Sequence, residues 1–144
     1  MVTTLTIRQP VATDAPVMAD LLTQLGYPSN TAEIAERLLP LADHTHAVIF
    51  VAETDEKVVG VITAHTFPSL QATAPSAWIT ALVVDESFRG KHVGRELVSH
   101  VEQWVAERGA KRISVTSATR RSDAHAFYGS VGYTGSGLRL TKDL

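Results

Sequence analysis

Between Trp78 and Arg95 the chain passes from a β-rich apolar run, Ile79-Thr80-Ala81-Leu82-Val83-Val84, through Asp85-Glu86-Ser87-Phe88, into Arg89-Gly90-Lys91-His92-Val93-Gly94-Arg95 and then a helical pattern. A strand, a short basic glycine loop and a helix N-terminus in immediate succession leave few folds open. The N–H groups of the first helical turn are unpaired and point out of its end. With the helix dipole and the charges of Arg89, Lys91 and Arg95 they form an anion site that suits a pyrophosphate. Gly90 and Gly94 are expected to let phosphate oxygens approach the backbone donors, which a side chain would hold away.

Local signals organise the rest of the chain around this segment. Thr4 to Arg8 reads as a strand, after which Asp14 is expected to cap a helix carrying Val17, Met18, Leu21, Leu22 and Leu25, ended by Gly26. Asn30 with Glu33 forms a capping-box pattern before Ile34, Leu38 and Leu41, with Pro40 in the last turn. Ala47 to Glu53 and Val58 to His65 read as a hairpin turning at Thr54 to Lys57, and Thr66 to Pro75 as a loop. Val93, Leu97, Val101, Trp104 and Val105 mark one helical face, closed by Gly109. Lys111 to Ser117 is a strand candidate, Asp123 to Ser130 a short helix and Gly132 to Leu140 a last strand. The order strand, loop, helix, strand from Trp78 to Ser117 is a βαβ unit, so parallel pairing through a right-handed crossover is expected there. With the antiparallel hairpin before it, this gives a mixed sheet with helices on both faces.

Composition narrows the function. The 144 residues suit one domain, residues 1–144, and 44% hydrophobic with 19% charged residues is ordinary for a soluble globular protein. No apolar run approaches the roughly 20 residues of a membrane span, and the N-terminus lacks a signal-peptide pattern, so a cytoplasmic protein is expected with no membrane partner. A net charge of −2 argues against nucleic acid as a partner. The chain has no cysteine, which removes disulfides, thiolate metal sites and a covalent cysteine intermediate. His44 and His46 have a spacing that can serve a metal, but no third ligand is evident and no metal is expected.

The glycine loop matches neither the P-loop pattern nor the dinucleotide fingerprint. It is followed, after one further strand, by Ala124-His125-Ala126-Phe127-Tyr128-Gly129-Ser130-Val131-Gly132-Tyr133. Arg89 to Gly94 resembles the R/Q-x-x-G-x-G/A pyrophosphate motif of the GNAT superfamily of acetyl-CoA-dependent N-acetyltransferases. Ala124 to Tyr133 resembles that family's A-x-x-F-Y-x-x-x-G-[FY] signature, and Ile7-Arg8-Gln9-Pro10 and Glu56-Lys57-Val58-Val59-Gly60 resemble its start and hairpin. Arg121 to Tyr128 and Leu138 to Lys142 look similar to aminoalkylphosphonate acetyltransferases.

The resemblance implies an α/β (α+β) fold with a mixed, mostly antiparallel central sheet, helices on both faces and a splayed central strand pair. It implies acetyl-CoA as cosubstrate, a small-molecule amine as acceptor and a homodimer. Cofactor binding then falls to Leu82, Val83, Val84, Arg89, Gly90, Lys91, His92, Val93, Gly94, Arg95, Arg121, Ala124 and Phe127. A backbone N–H of the Leu82 to Val84 region is placed to polarise the thioester carbonyl, and Tyr128 to protonate the leaving thiolate as the catalytic acid. Three positions depart from the family pattern: His92 replaces the first loop glycine, Thr80 a glutamate used as general base, and Ala118 an asparagine that contacts the cofactor. The base is left open among His65, His44, His46 and Glu86. Arg120 and Arg121 are candidates for a phosphate of the cofactor, and Trp78 and Phe67 for the acceptor. Aminoglycosides, polyamines and protein amines remain alternative acceptors, and a non-catalytic acyl-CoA-binding module is the alternative that Thr80 raises.

Overall fold

The computed structural model describes residues 4–42, 45–116, 122–135 and 140–144, with the backbone alone at 122 and 123. Strand β1 (Leu5–Arg8) leads through a 3-10 turn at Ala12–Asp14 into α1 (Ala15–Leu25). Asp14 does not cap α1 with its side chain. Its carboxylate accepts the Val11 N–H at 2.7 Å and is held by the Arg8 guanidinium at 2.8 and 3.1 Å, so the ion pair takes the oxygens a cap would use. The capping box is present: Asn30 accepts the Glu33 N–H at 2.8 Å and Glu33 accepts the Asn30 N–H at 3.0 Å, opening α2 (Thr31–Leu41), which runs one residue past Pro40.

Strands β2 (Ala47–Thr54) and β3 (Lys57–Ser69) form the expected antiparallel hairpin, turning at Asp55 and Glu56, both at positive φ. The loop expected over Thr66 to Pro75 is instead mostly strand. β3 continues to Ser69, β4 spans Ala72–Val84, and Phe67 pairs with Ser76. Pro68 falls at a register shift between Phe67 and Ser69, where a missing N–H costs no ladder bond. Helix α3 (Val93–Glu107) buries Val93, Leu97, Val98, Val101, Trp104 and Val105. Strand β5 (Ser114–Val115) is shorter than expected and lies parallel to β4, completing the βαβ unit. Helix α4 spans Ser122–Ser130.

The sheet order is β1-β2-β3-β4-β5, antiparallel except for the last pair. Helices α1 and α2 cover one face through Met18, Leu21 and Ile34 against Ile49, Val51, Val61 and Val83. Helix α3 covers the other against Val48, Val59, Ile62 and Ile79. Gly132 to Leu140 has no strand at its described residues, 132–135 and 140; positions 136–139 lie outside them. The Tyr133 N–H bonds the Tyr128 carbonyl at 2.9 Å, closing α4 with a left-handed Gly132, so it is committed to the helix end rather than to a ladder.

Candidate active site

Among the described residues, strands β4 and β5 are paired only at Trp78–Ser114 and Ile79–Val115. From Thr80 to Val84 the β4 edge borders a cleft of about 670 Å³ instead. Ile79 to Val84 form one wall, Val115, Thr116, Ala124, Phe127 and Tyr128 the other, and the residues from Phe88 to Arg95, except Lys91, close one end. The α3 hydrogen-bond ladder begins with Glu96 N–H to His92 O at 3.1 Å, so the N–H groups of Val93, Gly94 and Arg95 precede it at this end. Arg89 is tethered there by a bond from its Nε to the Val84 carbonyl, 3.3 Å. Arg95 lines the same end, which makes it cationic.

Eleven of the thirteen residues expected to hold a cofactor therefore line one cavity: Leu82, Val83, Val84, Arg89, Gly90, His92, Val93, Gly94, Arg95, Ala124 and Phe127. Lys91 is not among them, since its ammonium lies over the Phe88 ring, 5.2 Å from the centroid. Arg121, with Ala118, Arg120 and His44, lies outside the described residues. The roles of the loop residues differ in detail from the expectation. Gly90 is left-handed, φ +79°, with open space where a Cβ would stand, so its backbone conformation is what favours glycine. A Cβ on Gly94 would come within 3.2 Å of the Phe127 ring, so this glycine admits α4 against α3. His92, in place of a family glycine, occupies the left-handed region at φ +66°, which accounts for a preference for glycine there.

The Phe127-Tyr128 pair works from two sides of α4. Phe127 packs onto Gly94, and Tyr128 lines the cleft. Tyr128 is held edge-on between Phe127, centroids 5.2 Å apart, and Tyr133, 5.6 Å. Tyr133 donates its hydroxyl to Glu102 of α3 at 2.9 Å, and burial together with that carboxylate pushes the phenol pKa up. The spacing from Phe127 to Tyr133 thus places one ring between the core and the cleft, one at the cleft and one as an anchor to α3.

Thr80 is the extra residue of a β-bulge, because Thr63 pairs with Ala81 and Ala64 with Ile79. Its hydroxyl donates to the Thr63 carbonyl at 3.3 Å. Of the candidate bases, His65, His46 and Glu86 do not line the cleft, and the described lining residues include neither Asp nor Glu. His65 is half-buried on β3, and burial lowers its pKa. Among the described residues, no group of three His, Cys, Asp or Glu side chains stands close enough to hold a metal. Sequence reasoning missed Leu25, Gly26 and Tyr27, which bring the end of α1 to the cleft opposite α4. Gly26 was legible as a helix stop, but its place beside β4 arises only in the packed sheet.

The cationic end of α3 and Tyr128 thus line one cleft beside β4 in a mixed sheet. The acetyltransferase (GNAT) family model matches residues 16–133, and the chain belongs to that family. It is 28% identical over 131 residues to an aminoglycoside N(6′)-acetyltransferase type 1 of Stenotrophomonas maltophilia, covering 89% of this chain and 85% of that one. Against an aminoalkylphosphonate N-acetyltransferase of Salmonella typhimurium the identity is 34% over 88 residues, 61% of this chain and 57% of the other. The fold matches the solved aminoglycoside N-acetyltransferase AAC(6′)-Iy in complex with CoA with a TM-score of 0.88 at 16% identity, over 100% of this chain and 97% of that one. No helix of the described residues is long and apolar enough to cross a membrane.

Proposed function

We propose that the protein transfers the acetyl group of acetyl-CoA to a primary amine of a small molecule by direct attack within a ternary complex. The observation that carries this reading is that one cleft joins the β4 edge, the cationic α3 N-terminus and Tyr128. The N-acetyltransferases named among its relatives support it, as does the CoA bound to the structural neighbour.

In this reading the first-turn N–H groups of α3, with Arg89 and Arg95, bind the pyrophosphate. The β4 edge from Leu82 to Val84 holds the pantetheine arm through its backbone, and one of its N–H groups stabilises the oxyanion that forms at the thioester carbonyl. The amine lone pair forms a bond to the carbonyl carbon and the C–S bond then breaks. Tyr128 gives its proton to the departing thiolate and is reprotonated by the proton the amine nitrogen releases. With no carboxylate among the described lining residues, the amine enters as the free base, about one part in a thousand of an alkylamine at neutrality. Rate at subsaturating amine then rises with pH until the amine itself is deprotonated. The Thr80 hydroxyl, donating to Thr63, keeps its oxygen lone pairs to accept a hydrogen bond from the amine N–H.

Substituting Tyr128→Phe tests the assignment. Turnover is expected to fall by about 10²-fold or more, with CoA affinity kept, because the ring still packs against Phe127 and Tyr133. Unchanged turnover would remove the phenol from the mechanism.

A further inference from the structure

A side chain that does not line the cleft ties its α1 side to its cationic end. Gln24 lies in the last turn of α1, and the three residues after it, Leu25, Gly26 and Tyr27, line the cleft. Its amide reaches the segment that joins β4 to α3: Nε2 donates to Oδ2 of Asp85 at 3.4 Å, and Oε1 accepts the Glu86 N–H at 3.3 Å. Asp85, Glu86 and Ser87 do not line the cleft either, whereas Val84 before them and Phe88, Arg89 and Gly90 after them do. Both ends of this bridge are anchored further back. Asp85 donates its N–H to the Val59 carbonyl of β3 at 2.8 Å, and its own carboxylate and carbonyl accept the N–H groups of Ser87 at 2.9 Å and Phe88 at 2.8 Å. On the α1 side the Tyr27 N–H bonds the Leu22 carbonyl at 2.9 Å, the Ser29 hydroxyl donates to the Tyr27 carbonyl at 2.8 Å, and Arg37 of α2 donates to that Ser29 oxygen at 2.9 Å. Two compact turns therefore carry cleft-lining residues, and Gln24 is where the turns meet.

We propose that Gln24 is a positioning residue that couples the two turns, so that CoA bound at the cationic end also orders Leu25 to Tyr27. The contact asks for an amide of this length, with a donor for the Asp85 carboxylate and an acceptor for the Glu86 N–H. A glutamate would set carboxylate against carboxylate, a lysine has no acceptor, and an asparagine is one methylene short. The Ser87 N–H, followed by the Gln24 amide, holds the Asp85 carboxyl below its ordinary value, so the acceptor is ionised at neutrality. A ligand that fixes one side of such a contact lowers the cost of fixing the other, and the coupling is reciprocal. On the transfer reading, from which this inference takes its ligand, acetyl-CoA and an amine that touches Leu25 to Tyr27 then favour each other's binding.

Hydrogen exchange of the full chain, with and without saturating CoA, tests the coupling, with calorimetry for CoA affinity. In the unsubstituted chain CoA should slow exchange both at residues 86–95 and at 25–29. In Gln24→Ala the protection at 86–95 should persist at saturation, while the protection at 25–29 falls and the CoA Kd rises, each about threefold, the scale of a neutral hydrogen bond in an exposed site. Gln24→Glu should do at least as much harm. Combining it with Asp85→Asn reverses donor and acceptor, since the asparagine amide then donates to the glutamate, which still accepts the Glu86 N–H. That pair should restore the protection at 25–29 and bring the Kd back to within about twofold, a rescue that a general loosening of α1 would not show. Protection confined to 86–95 in the unsubstituted chain, protection at 25–29 that survives Gln24→Ala, or a double variant no better than Gln24→Glu would each overturn the coupling and leave the transfer reading intact. CoA that protects neither segment would overturn the cofactor assignment and the coupling with it.

Discussion

Replacing Gly94 with alanine separates two reasons for a glycine at the head of α3. The added Cβ would stand 3.2 Å from both Cε1 and Cζ of Phe127 and 3.8 Å from a Val84 methyl. Carbon atoms rest at about 3.5–4.0 Å, so the ring must give by a few tenths of an ångström. Overpacking of this kind costs about 1–3 kcal/mol, and the better helix propensity of alanine returns up to ~1 kcal/mol. A net loss of about 1 kcal/mol follows, near 3 °C for a chain of this size. Turnover should fall further than stability, because the displaced ring belongs to the helix that presents Tyr128. In a Phe127→Leu background the obstructing ring atoms are gone, and Gly94→Ala becomes neutral or stabilising by up to ~1 kcal/mol, a coupling of about 2 kcal/mol between the sites. Urea midpoints for the four proteins, at a common slope, measure the cycle, and calorimetry follows CoA affinity. If Gly94→Ala costs the same in both backgrounds and weakens CoA equally in both, the glycine serves phosphate approach and the packing argument is wrong.

Other substitutions test neighbouring parts of the account. His92→Gly relieves a left-handed side-chain-bearing residue and should stabilise the protein by about 1 kcal/mol in thermal or urea unfolding; a destabilised variant would contradict the strain argument. Arg89→Ala and Arg95→Ala should each weaken CoA binding about tenfold, whereas Lys91→Ala, whose ammonium sits over Phe88, should change it less than about twofold. Equal losses at all three would mean a diffuse field, not a built site. Hydrogen bonding from Arg8 holds the Asp14 pKa below its ordinary value, so the unfolded chain binds the extra proton as pH falls. The stabilisation from this pair is complete above the unfolded carboxyl value and is lost on descending through the folded one. Asp14→Asn should flatten the acid limb of stability against pH, and an unchanged limb would remove the pair from acid unfolding.

The parts of the fold written in local chemistry were legible. Val93, Leu97, Val101, Trp104 and Val105 give the buried side of α3, and the Asn30–Glu33 box opens α2, because each signal lies within a few turns of chain. What escaped depends on partners distant in sequence. Asp14 reads as a cap until Arg8 is beside it, and Thr66 to Pro75 reads as a loop until β3 and β4 pair through a bulge that absorbs Pro68. The same holds at the cleft. The glycine loop, β4 and Tyr128 were visible as motifs, yet the contact of Gly94 with Phe127, the turn of Lys91 toward Phe88 and the arrival of Leu25 and Tyr27 from α1 arise only when the elements assemble. Thr80 was visible as a missing carboxylate but not as a bulge, since register is a property of two strands.

Thiol release from acetyl-CoA over a panel of amines tests the proposed reaction most directly, because a chain without cysteine contributes no thiol of its own. Release that saturates with acetyl-CoA, rises with one class of amine and matches the acetylated amine seen by mass spectrometry is the predicted result. Saturable binding of acetyl-CoA with thiol release that no amine accelerates would contradict it.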